Sequence, residues 1–275
     1  MKNSIPILSV IIGIVACSSP DVSSVPSGPL MSGTRKLVWA DEFEKPGLPN
    51  SAKWKYDVGA DGWGNNELQY YSALRPENAR IENDKLIIEA RREEYQGALY
   101  YTSARLSTQG KASWTNGRIE VSAKLPRGRG TWACIWMLGN DYTSYSSWPK
   151  CGEIDIMEHV GFDEGKVHGS LHTLNYNHLK SNQKTKYFHV SDATTNFHVY
   201  AIEWTSDQID FYVDDSKYYT AKKTDLGVSE AQWPFDKPFF IILNIAVGGN
   251  WGGQKGIDDT IWPQRMEVDY VRVFQ

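Results

Sequence analysis

Three acidic residues lie close together in one short apolar segment, residues 151–161. Glu153, Asp155 and Glu158 fall within six consecutive positions. Two carboxyl groups held about 5–5.5 Å apart can hydrolyse a glycosidic bond with retention, because one attacks the anomeric carbon while the other protonates the leaving oxygen. Asp155, between them, would add negative charge that keeps the acid protonated near neutral pH. The residue types predict acid–base and nucleophilic chemistry, with a solvated acidic edge strand or a calcium site as alternatives.

The spacing of the three acids constrains the strand that carries them. In a strand, residues two apart share a face, so Glu153 and Asp155 point the same way. Glu158 follows Glu153 by five positions, and strict alternation would turn it to the opposite face. One extra residue in a β-bulge restores the face, and bulges are frequent beside active sites. The sequence predicts such a bulge at Ile156 and Met157, where both residues are apolar.

The chain from residue 37 onward shows one strand pattern after another. Residues 118–125 alternate polar and apolar side chains, which is typical of a half-buried strand. Similar runs occupy residues 85–90, 131–138, 153–158, 167–173, 199–204, 208–213, 239–247 and 266–274. Residues 225–233 alone have a short helical pattern. Many short strands separated by Gly, Pro and Asp turns predict an all-β sandwich or jelly roll.

Composition narrows the class of ligand. The 275 residues carry a formal net charge of -4 without a long Lys/Arg run, so nucleic acid is not an expected partner. The chain has 11 Trp and 15 Tyr. These side chains offer a flat apolar face and a polar edge, which suits sugar rings with apolar C–H faces and hydroxyl rims. Core packing is the alternative explanation for part of this aromatic content.

The strand predicted at residues 131–138 separates two sets of side chains by parity. Trp132, Cys134 and Trp136 share one face, and small or apolar residues occupy the other. The second set suits a core, so the first would face outward. Trp132 and Trp136 therefore predict a platform for sugar rings, with core packing as the alternative.

The two cysteines of the predicted sandwich are expected to be free. If residues 131–138 and 152–158 pair in a symmetric antiparallel register, Cys134 faces Asp155. Cys151 then lies four residues away, roughly 13 Å along the strand. A disulfide needs Cα atoms within about 7 Å, so the sequence predicts two free thiols.

The first 34 residues have the composition of a targeting segment and a linker. An apolar stretch at residues 5–16 is shorter than the roughly 20 residues needed to span a bilayer, and matches the core of a signal peptide. It ends in Ile-Val-Ala-Cys17, similar to the lipobox of bacterial lipoproteins, with ordinary cleavage without lipid as the alternative. We therefore predict a lipoprotein-type signal peptide at residues 1–17, a Ser/Pro/Gly-rich flexible tether at 18–34 and a catalytic domain at 35–275.

The expected location follows from that reading. The protein is predicted to be exported, as an outer-membrane or cell-surface lipoprotein or otherwise as a periplasmic or extracellular protein. Contact with a membrane is expected only through a lipid on Cys17.

The acidic segment resembles a known family signature. Residues 153–158 look like the signature of glycoside hydrolase family 16 in its form with an extra residue, Glu-any-Asp-any-any-Glu. The flanking residues, 148–152 and 159–161, are similar to the laminarinase (endo-β-1,3-glucanase) branch. Lichenases of the family resemble the shorter form, so the extra residue argues against that group. The similarity covers nearly the whole domain, through residues 37–43, 64–71, 131–138, 244–251 and 269–273.

This resemblance implies a fold and a reaction. The fold is a β-jelly-roll sandwich of two antiparallel sheets with a concave substrate cleft. The reaction is endo-acting, retaining cleavage of β-1,3-glucosidic bonds in laminarin-type β-glucans, with Glu153 as nucleophile, Glu158 as acid/base and Asp155 as their assistant. The expected partner is a β-glucan polysaccharide or oligosaccharide, and the expected state is a monomer. No His-any-any-His or Cys-any-any-Cys spacing points to a catalytic metal.

Further site residues follow from the parity argument and the resemblance together. The predicted substrate-binding residues are Trp136, Trp132, Trp148, Asn65, Glu67, Arg91, His172 and Trp251. Arg91 offers a fixed fork of donors to sugar hydroxyls, with a surface ion pair to a neighbouring Glu as the alternative. A purely structural role is the alternative for His172, and Trp251 is placed to close one end of the cleft. The resemblance also implies a structural calcium ion with ligands from Asp269, Glu44 and Asp84.

Two other functions stay open. The same acids would serve a hydrolase of mixed-linkage β-glucan, agarose or carrageenan, or a transglycosylase. A sulfated galactan would favour a cluster of basic residues, which the sequence does not show. A non-catalytic glucan-binding protein is the third reading, and the presence of all three acids argues against it.

Overall fold

The described part of the chain is built almost entirely from strands. The computed structural model describes Met1 and residues 35–275, without the side chains of Leu99 and Tyr100. The signal peptide and tether predicted at residues 1–17 and 18–34 lie outside the described residues, apart from Met1. The strands are β1 (Leu37–Asp41), β2 (Lys55–Asp57), β3 (Gln69–Tyr71), β4 (Ala79–Ile81), β5 (Leu86–Tyr95), β6 (Ala98–Ser103), β7 (Arg105–Ser107), β8 (Gly117–Lys124), β9 (Thr131–Gly139), β10 (Glu153–Val160), β11 (Lys166–His172), β12 (Lys184–His189), β13 (His198–Trp204), β14 (Gln208–Val213), β15 (Ser216–Lys222), β16 (Phe239–Val247) and β17 (Gln264–Phe274).

These strands form two sheets. One has ten strands in the order β15-β14-β13-β8-β17-β5-β6-β3, with β1 on β17 and β4 on β5. The other has seven strands in the order β12-β11-β10-β9-β16-β7-β2. The pairs are antiparallel except for β3 with β6, which run parallel. The predicted all-β sandwich of two sheets is confirmed, with this one parallel pair as a departure.

The core lies between the sheets and explains why alternation predicted the strands. Ala133, Ile135 and Met137 of β9 are fully buried in the apolar cluster between the sheets. The intervening residues of β9 face away from it, on the concave side of the seven-stranded sheet. Burial of a large side chain such as Ile135 or Met137 contributes roughly 1.5–3 kcal/mol, so the parity of β9 is fixed by the core.

Helical structure is shorter than the sequence predicted. The prediction of a helix over residues 225–233 is wrong beyond Leu226, because the one α-helix of the described residues, α1, covers Lys223–Leu226. Gly227 follows with a φ of 114°, which ends the helix. Two 3-10 turns, Tyr145–Ser147 and His178–Lys180, lie in loops. Within the described residues, no helix has the length and apolar character needed to cross a membrane.

Candidate active site

A bulge in β10 brings the three acids to one face. Against β9, Asp155 pairs with Trp136 and Met157 pairs with Ile135, so the register shifts and Ile156 is the extra residue. Glu153, Asp155 and Glu158 consequently line one cavity of about 310 Å³ on the concave face. The bulge predicted from the spacing of the acids is confirmed.

Each of the two glutamates accepts a hydrogen bond from a tryptophan. The indole N–H of Trp148 donates to Glu153 Oε2 over 2.8 Å. The indole N–H of Trp132 donates to Glu158 Oε1 over 3.1 Å. Such donors hold a carboxyl group in one orientation and favour its ionised form.

Asp155 lies deeper than the glutamates and faces a histidine from β11. It is 2 % exposed, and its Oδ2 lies 3.2 Å from His172 Nε2. Glu153 Oε1 lies 3.7 Å from the same nitrogen. The predicted site residue His172 is thus in contact with two of the acids, but it is buried and does not itself line the cavity.

Burial shifts the pKa of all three acids upward. It raises the pKa of Glu153 to about 8, with a further contribution from the charge of Asp155. It likewise raises the pKa of Asp155 to about 8. Burial and then the charge of Asp155 raise the pKa of Glu158 well above its usual range. His172 and the Trp148 N–H act in the opposite direction on Glu153, so this carboxyl has two neighbours that favour its ionised form.

An aromatic floor extends from the acids towards β16 and β7. Trp136 lines the cavity, and its indole N–H donates to Asn244 Oδ1 over 2.7 Å. The Arg105 guanidinium lies 4.7 Å from the Trp136 ring on one side and 4.8 Å from the Trp63 ring on the other. Trp132, Trp136 and Trp148 all line the cavity, which confirms the face predicted for the two β9 tryptophans.

Two loops join at one side of the cleft and carry three of the predicted residues. Asn65 and Glu67 line the cavity, and the Asn65 amide donates to Glu67 Oε1 over 3.3 Å. The backbone N–H of Asn250 donates to the carbonyl of Asn65 over 2.7 Å, which ties the two loops together. Trp251, in the second loop, lies edge-on to Trp132 with ring centroids 5.6 Å apart. The loop tryptophan therefore packs beside the Glu158 end of the cleft.

Arg91 is a correction to the sequence prediction. It lies on β5 in the ten-stranded sheet and does not line the cavity. Its guanidinium pairs with Glu89 and lies 3.7 Å from Glu93. Glu89, Arg91 and Glu93 are two residues apart along one strand, so they share a face and neutralise one another there.

Sequence reasoning missed several residues of the cleft. Arg105 is nearly buried, with its Nε 3.2 Å from Asp57 Oδ2. Its strand, β7, has only three residues, too few for an alternation to be visible. Asn244 could have been found, because it is the single polar residue in the buried strand β16. Among the other missed lining residues, Leu138 and Ala246 lie on β9 and β16. The rest come from loops: Trp63, Gly64, Tyr142, Tyr145, His178 and Leu179.

The carboxylates predicted to bind calcium are not brought together. Among the described residues, the one group of three His, Cys, Asp or Glu side chains with ligand atoms within 4.8 Å is Glu153, Asp155 and His172. Glu44 and Asp84 are exposed, and Asp269 Oδ1 lies 3.9 Å from Lys85 Nζ. An ammonium group thus stands beside the Asp269 carboxylate. The resemblance places part of the calcium ligands on backbone carbonyls, so the calcium site stays a prediction.

Cys134 of β9 and Cys151 of the turn before β10 are free, as predicted, although the register assumed for them is wrong. Cys134 and Cys151 are both buried thiols. Cys134 pairs with Glu158 across β9 and β10, whereas Asp155 pairs with Trp136. The register differs because β10 begins at Glu153, after Gly152 with a φ of 78°, and because the bulge adds one residue. The lipidation site predicted at Cys17 lies outside the described residues.

The arrangement combines two kinds of chemistry in one cleft. Several carboxyl groups with raised pKa values can hold and exchange protons near neutral pH. The neighbouring indole and tyrosine faces can stack on flat, partly apolar rings. Hydrolysis between linked rings is the reaction that uses both features.

Comparisons with known proteins agree with one another. A family model described as "Glycosyl hydrolases family 16" matches residues 65–272. The chain is 52% identical to a beta-glucanase of Rhodothermus marinus over 279 aligned residues, which span 100% of this chain and 95% of that protein. It is similar to the X-ray structure of the laminarinase from Rhodothermus marinus, with a TM-score of 0.84, 56% identity and coverage of 88% of this chain and 97% of that one. It is also similar to the crystal structure of SCLam, a non-specific endo-beta-1,3(4)-glucanase, with a TM-score of 0.82, 47% identity and coverage of 88% and 91%.

Proposed function

Since the chain belongs to glycosyl hydrolases family 16, we propose that it is an endo-acting, retaining glycosidase that cleaves β-1,3-glucosidic bonds in laminarin-type β-glucans. The observation that carries the proposal is the bulge at Ile156. It puts Glu153, Asp155 and Glu158 on the same face of β10, in a cavity lined by tryptophans. A retaining glycosidase needs two carboxyl groups on one side of a bound sugar chain, and this bulge supplies them.

The first step uses the two glutamates in different protonation states. The Glu153 carboxylate attacks the anomeric carbon and forms a glycosyl ester while the bond to the leaving oxygen breaks. Glu158 transfers its proton to that oxygen, so the departing sugar leaves as an alcohol. In the second step, Glu158 takes a proton from water, and the resulting hydroxide attacks the same carbon and releases Glu153. Two inversions give net retention.

The environment of each glutamate supports this assignment. The pKa of Glu158 is raised well above its usual range by burial and by Asp155, so the group keeps a proton to donate. Glu153 contacts the Trp148 N–H and His172, and both contacts favour its ionised form. Asp155 lies between the glutamates, where its charge acts on both pKa values. Family 16 catalysis needs no metal or other cofactor.

The form of the cleft supports internal cleavage of a polymer. Trp136 and Trp148 offer ring faces, while Asn65 and Glu67 offer hydrogen-bonding groups at the cleft wall. Of the side chains described around this cavity, Arg105 alone is cationic at neutral pH, because burial lowers the pKa of His178 to about 4. A neutral glucan fits this lining better than a sulfated galactan, which would favour several basic residues.

A mixed-linkage β-glucan is the second candidate substrate. Its support is the similarity to SCLam, which is described as a non-specific endo-beta-1,3(4)-glucanase. The two substrates share the glucose unit and differ in some of the linkages that must lie across the cleft.

Product analysis tests the proposal. The protein is incubated with laminarin, lichenan and agarose, and the released sugars are separated by chromatography. We expect short glucose oligomers from laminarin. Turnover of lichenan as well would show that mixed-linkage β-glucan is also a substrate. Inertness on laminarin with turnover of agarose would contradict the proposal. Glu153→Ala should abolish hydrolysis and leave the folded structure intact, as measured by circular dichroism.

We also propose that the protein is an exported lipoprotein and a monomer. The support is the sequence of residues 1–34, with Cys17 at the end of the apolar stretch. In a bacterial host, the wild-type protein should fractionate with membranes and Cys17→Ala should not, while light scattering should give the mass of one chain. A soluble wild-type protein would contradict the anchor.

A structural calcium ion stays a prediction from the family resemblance, and the proposed reaction does not use it.

A further inference from the structure

Three potential metal ligands converge beside the cleft, and two of them, Glu153 and Asp155, line it. The Nε2 of His172 lies 3.2 Å from Asp155 Oδ2 and 3.7 Å from Glu153 Oε1. One ligand atom from each of the three side chains lies within 4.8 Å of the other two. They come from two neighbouring strands, β10 and β11, so the backbone hydrogen bonds of the sheet hold their Cα positions.

The polar atoms of this group are incompletely satisfied. Asp155 Oδ2 is buried and makes no hydrogen bond, and His172 Nδ1 is likewise without a partner. The close approach of Asp155 to His172 is therefore not an aligned hydrogen bond. Buried polar atoms without partners are uncommon in folded proteins, so the unpaired Asp155 oxygen next to His172 indicates a ligand position. A cation would also offset the repulsion between the Asp155 and Glu153 carboxylates.

The two carboxylate oxygens of Glu153 have different partners. Its Oε2 accepts the hydrogen bond of the Trp148 indole, which leaves Oε1 turned towards His172. The Trp148 hydrogen bond thus fixes the orientation of the Glu153 carboxylate, as hydrogen bonds to metal-binding side chains commonly do.

The separations fit a small tetrahedral ion. Zinc binds carboxylate oxygen and imidazole nitrogen at about 2.0–2.2 Å, which places neighbouring ligands of a tetrahedron about 3.3–3.6 Å apart. The two measured separations, 3.2 and 3.7 Å, lie close to that range. Calcium takes six to eight oxygen ligands at longer distances, and an imidazole is a poor ligand for it.

We propose that Glu153, Asp155 and His172 bind a single Zn²⁺ ion, with water in the fourth position, and that this ion reversibly inhibits the enzyme. The inhibition rests on the proposed function, because it arises from capture of the nucleophile. The bound ion occupies the lone pair of Glu153 that would attack the anomeric carbon, so zinc and sugar compete for the same floor of the cleft.

Calorimetric titration with zinc chloride tests the site without reference to activity. We expect one Zn²⁺ per wild-type chain, and at least a tenfold higher dissociation constant for both His172→Phe and Asp155→Asn. The phenylalanine keeps the ring packing against Trp148 and His178, and the asparagine keeps the shape of the carboxylate. Circular dichroism confirms that each variant is folded. Zinc should also raise the unfolding temperature of the wild type, because a ligand that binds only the folded state stabilises it.

His198 supplies the matched control. It too lies between two carboxylates, but they approach opposite nitrogens, Asp214 at 2.8 Å from Nδ1 and Asp192 at 3.1 Å from Nε2. One ion cannot bind both carboxylates and a shared nitrogen there, so His198→Ala should leave zinc binding unchanged. Loss of binding in His198→Ala would overturn the proposal, as would wild-type affinity in both His172→Phe and Asp155→Asn.

Inhibition by zinc is tested separately, by the kinetics of laminarin hydrolysis. Zinc should inhibit laminarin hydrolysis competitively, and calcium chloride at the same concentrations should not. Zinc that binds with one-to-one stoichiometry but leaves hydrolysis unchanged would overturn the inhibition. Failure of the proposed function would instead appear as absence of laminarin hydrolysis without any zinc, with the calorimetric result unaffected.

Discussion

Glu153 lies in an environment that favours protonation, and two neighbours act against it. Burial and Asp155 raise the pKa of Glu153 to about 8, whereas the Trp148 N–H and His172 favour the carboxylate. A hydrogen bond to a charged group contributes roughly 1.5–3 kcal/mol, which corresponds to about one to two pKa units. The Trp148 indole is therefore expected to lower the pH at which the nucleophile becomes ionised, against the larger effect of burial.

Trp148→Phe should move the acidic limb of the pH profile. Loss of the N–H donor raises the pKa of Glu153, so kcat/KM should fall at a higher pH than in the wild type, by roughly one to two pH units. The measurement is kcat/KM on laminarin between about pH 4 and about pH 10. Trp262→Phe is the control, since the buried Trp262 Nε1 has no hydrogen-bond partner to lose. An unmoved acidic limb in Trp148→Phe would contradict the role given to this bond.

Arg91 and Arg105 differ in whether the sequence alone could predict their positions. Arg91 was predicted in the cleft, but Glu89 and Glu93 lie at two-residue spacing on its own strand and pair with it. That competing ion pair was visible in the sequence. Arg105 reaches the cleft through the pairing of β7 with β16, residues far apart in the chain. Contacts of that kind depend on the whole sheet, so local patterns do not reveal them.

Gly152 determines where the catalytic strand begins. Its φ is 78°, and a Cβ at this position would lie 2.7 Å from Pro234 Cγ and 2.9 Å from Phe239 Cζ. A side chain there would meet both a strained backbone conformation and close neighbours. The glycine thus allows the chain to turn tightly into β10 directly before Glu153.

Gly152→Ala should destabilise the protein by about 2–5 kcal/mol, the sum of the conformational cost and the packing clash. The free energy of unfolding in urea measures the effect. Gly110→Ala isolates the conformational part, because Gly110 has a φ of 72° but no atom within 4 Å of the added Cβ. We expect a loss of about 1 kcal/mol for this control. Equal losses in the two variants would show that Pro234 and Phe239 do not restrict the turn.

The edge strand β12 extends the row of residues that contains Glu158. Glu158 pairs with His168 of β11, and His168 pairs with Tyr187 of β12, so the three share the concave face. Tyr187 is 55% exposed, and Lys166 Nζ lies 5.0 Å from its ring. An exposed aromatic ring in line with the acid/base is placed to support a sugar beyond the cavity.

Tyr187→Ala should lower kcat/KM on laminarin by roughly 2–10-fold, as expected for the loss of one aromatic contact. Steady-state kinetics on the polymer measure this change. Tyr270→Ala is the control, because Tyr270 is a half-exposed tyrosine on β17 of the other sheet. A similar loss in both variants would indicate a general effect on the fold and not a contact with the substrate.

Sequence patterns missed very short strands and strands with little burial. The prediction was close for β9, where the core fixes the alternation, and for the continuously buried β16. The missed strands β2, β3, β4 and β7 have only three residues each. The missed strands β12 and β15 lie at the edges of their sheets and are mostly exposed or half-buried, so their Lys, Thr and Tyr residues show no apolar period. Periodicity reports burial, and strands with little burial leave little signal.

The stability of the whole molecule should depend on a histidine outside the cleft. His159 is fully buried, neither ring nitrogen has a partner, and burial lowers its pKa to about 4. The folded pKa lies below the unfolded value of about 6.5, so protonation favours the unfolded chain. The stability contributed by neutral His159 is complete above that unfolded pKa and is lost as pH falls towards the folded pKa.

His159→Leu should therefore remove part of the acid sensitivity. Between pH 7.5 and 5, the wild-type free energy of unfolding should fall by about 2 kcal/mol more than that of the variant. Urea denaturation at the two pH values provides the comparison, and the effects of other titrating groups cancel in the difference. An equal loss in both proteins would mean that His159 is hydrated or protonated in the folded state.

The central claim is that Glu153 forms a covalent bond to the sugar during turnover. A glucosyl-β-1,3-glucoside with a fluorine at C2 and a good leaving group should react through the first step and be slow in the second. Digestion and peptide mass spectrometry then locate the attached sugar. We predict a stoichiometric label on Glu153 in the wild type and in Trp262→Phe. A label on Glu158 or Asp155, or rapid turnover with release of the α-anomer and no label, would contradict the account.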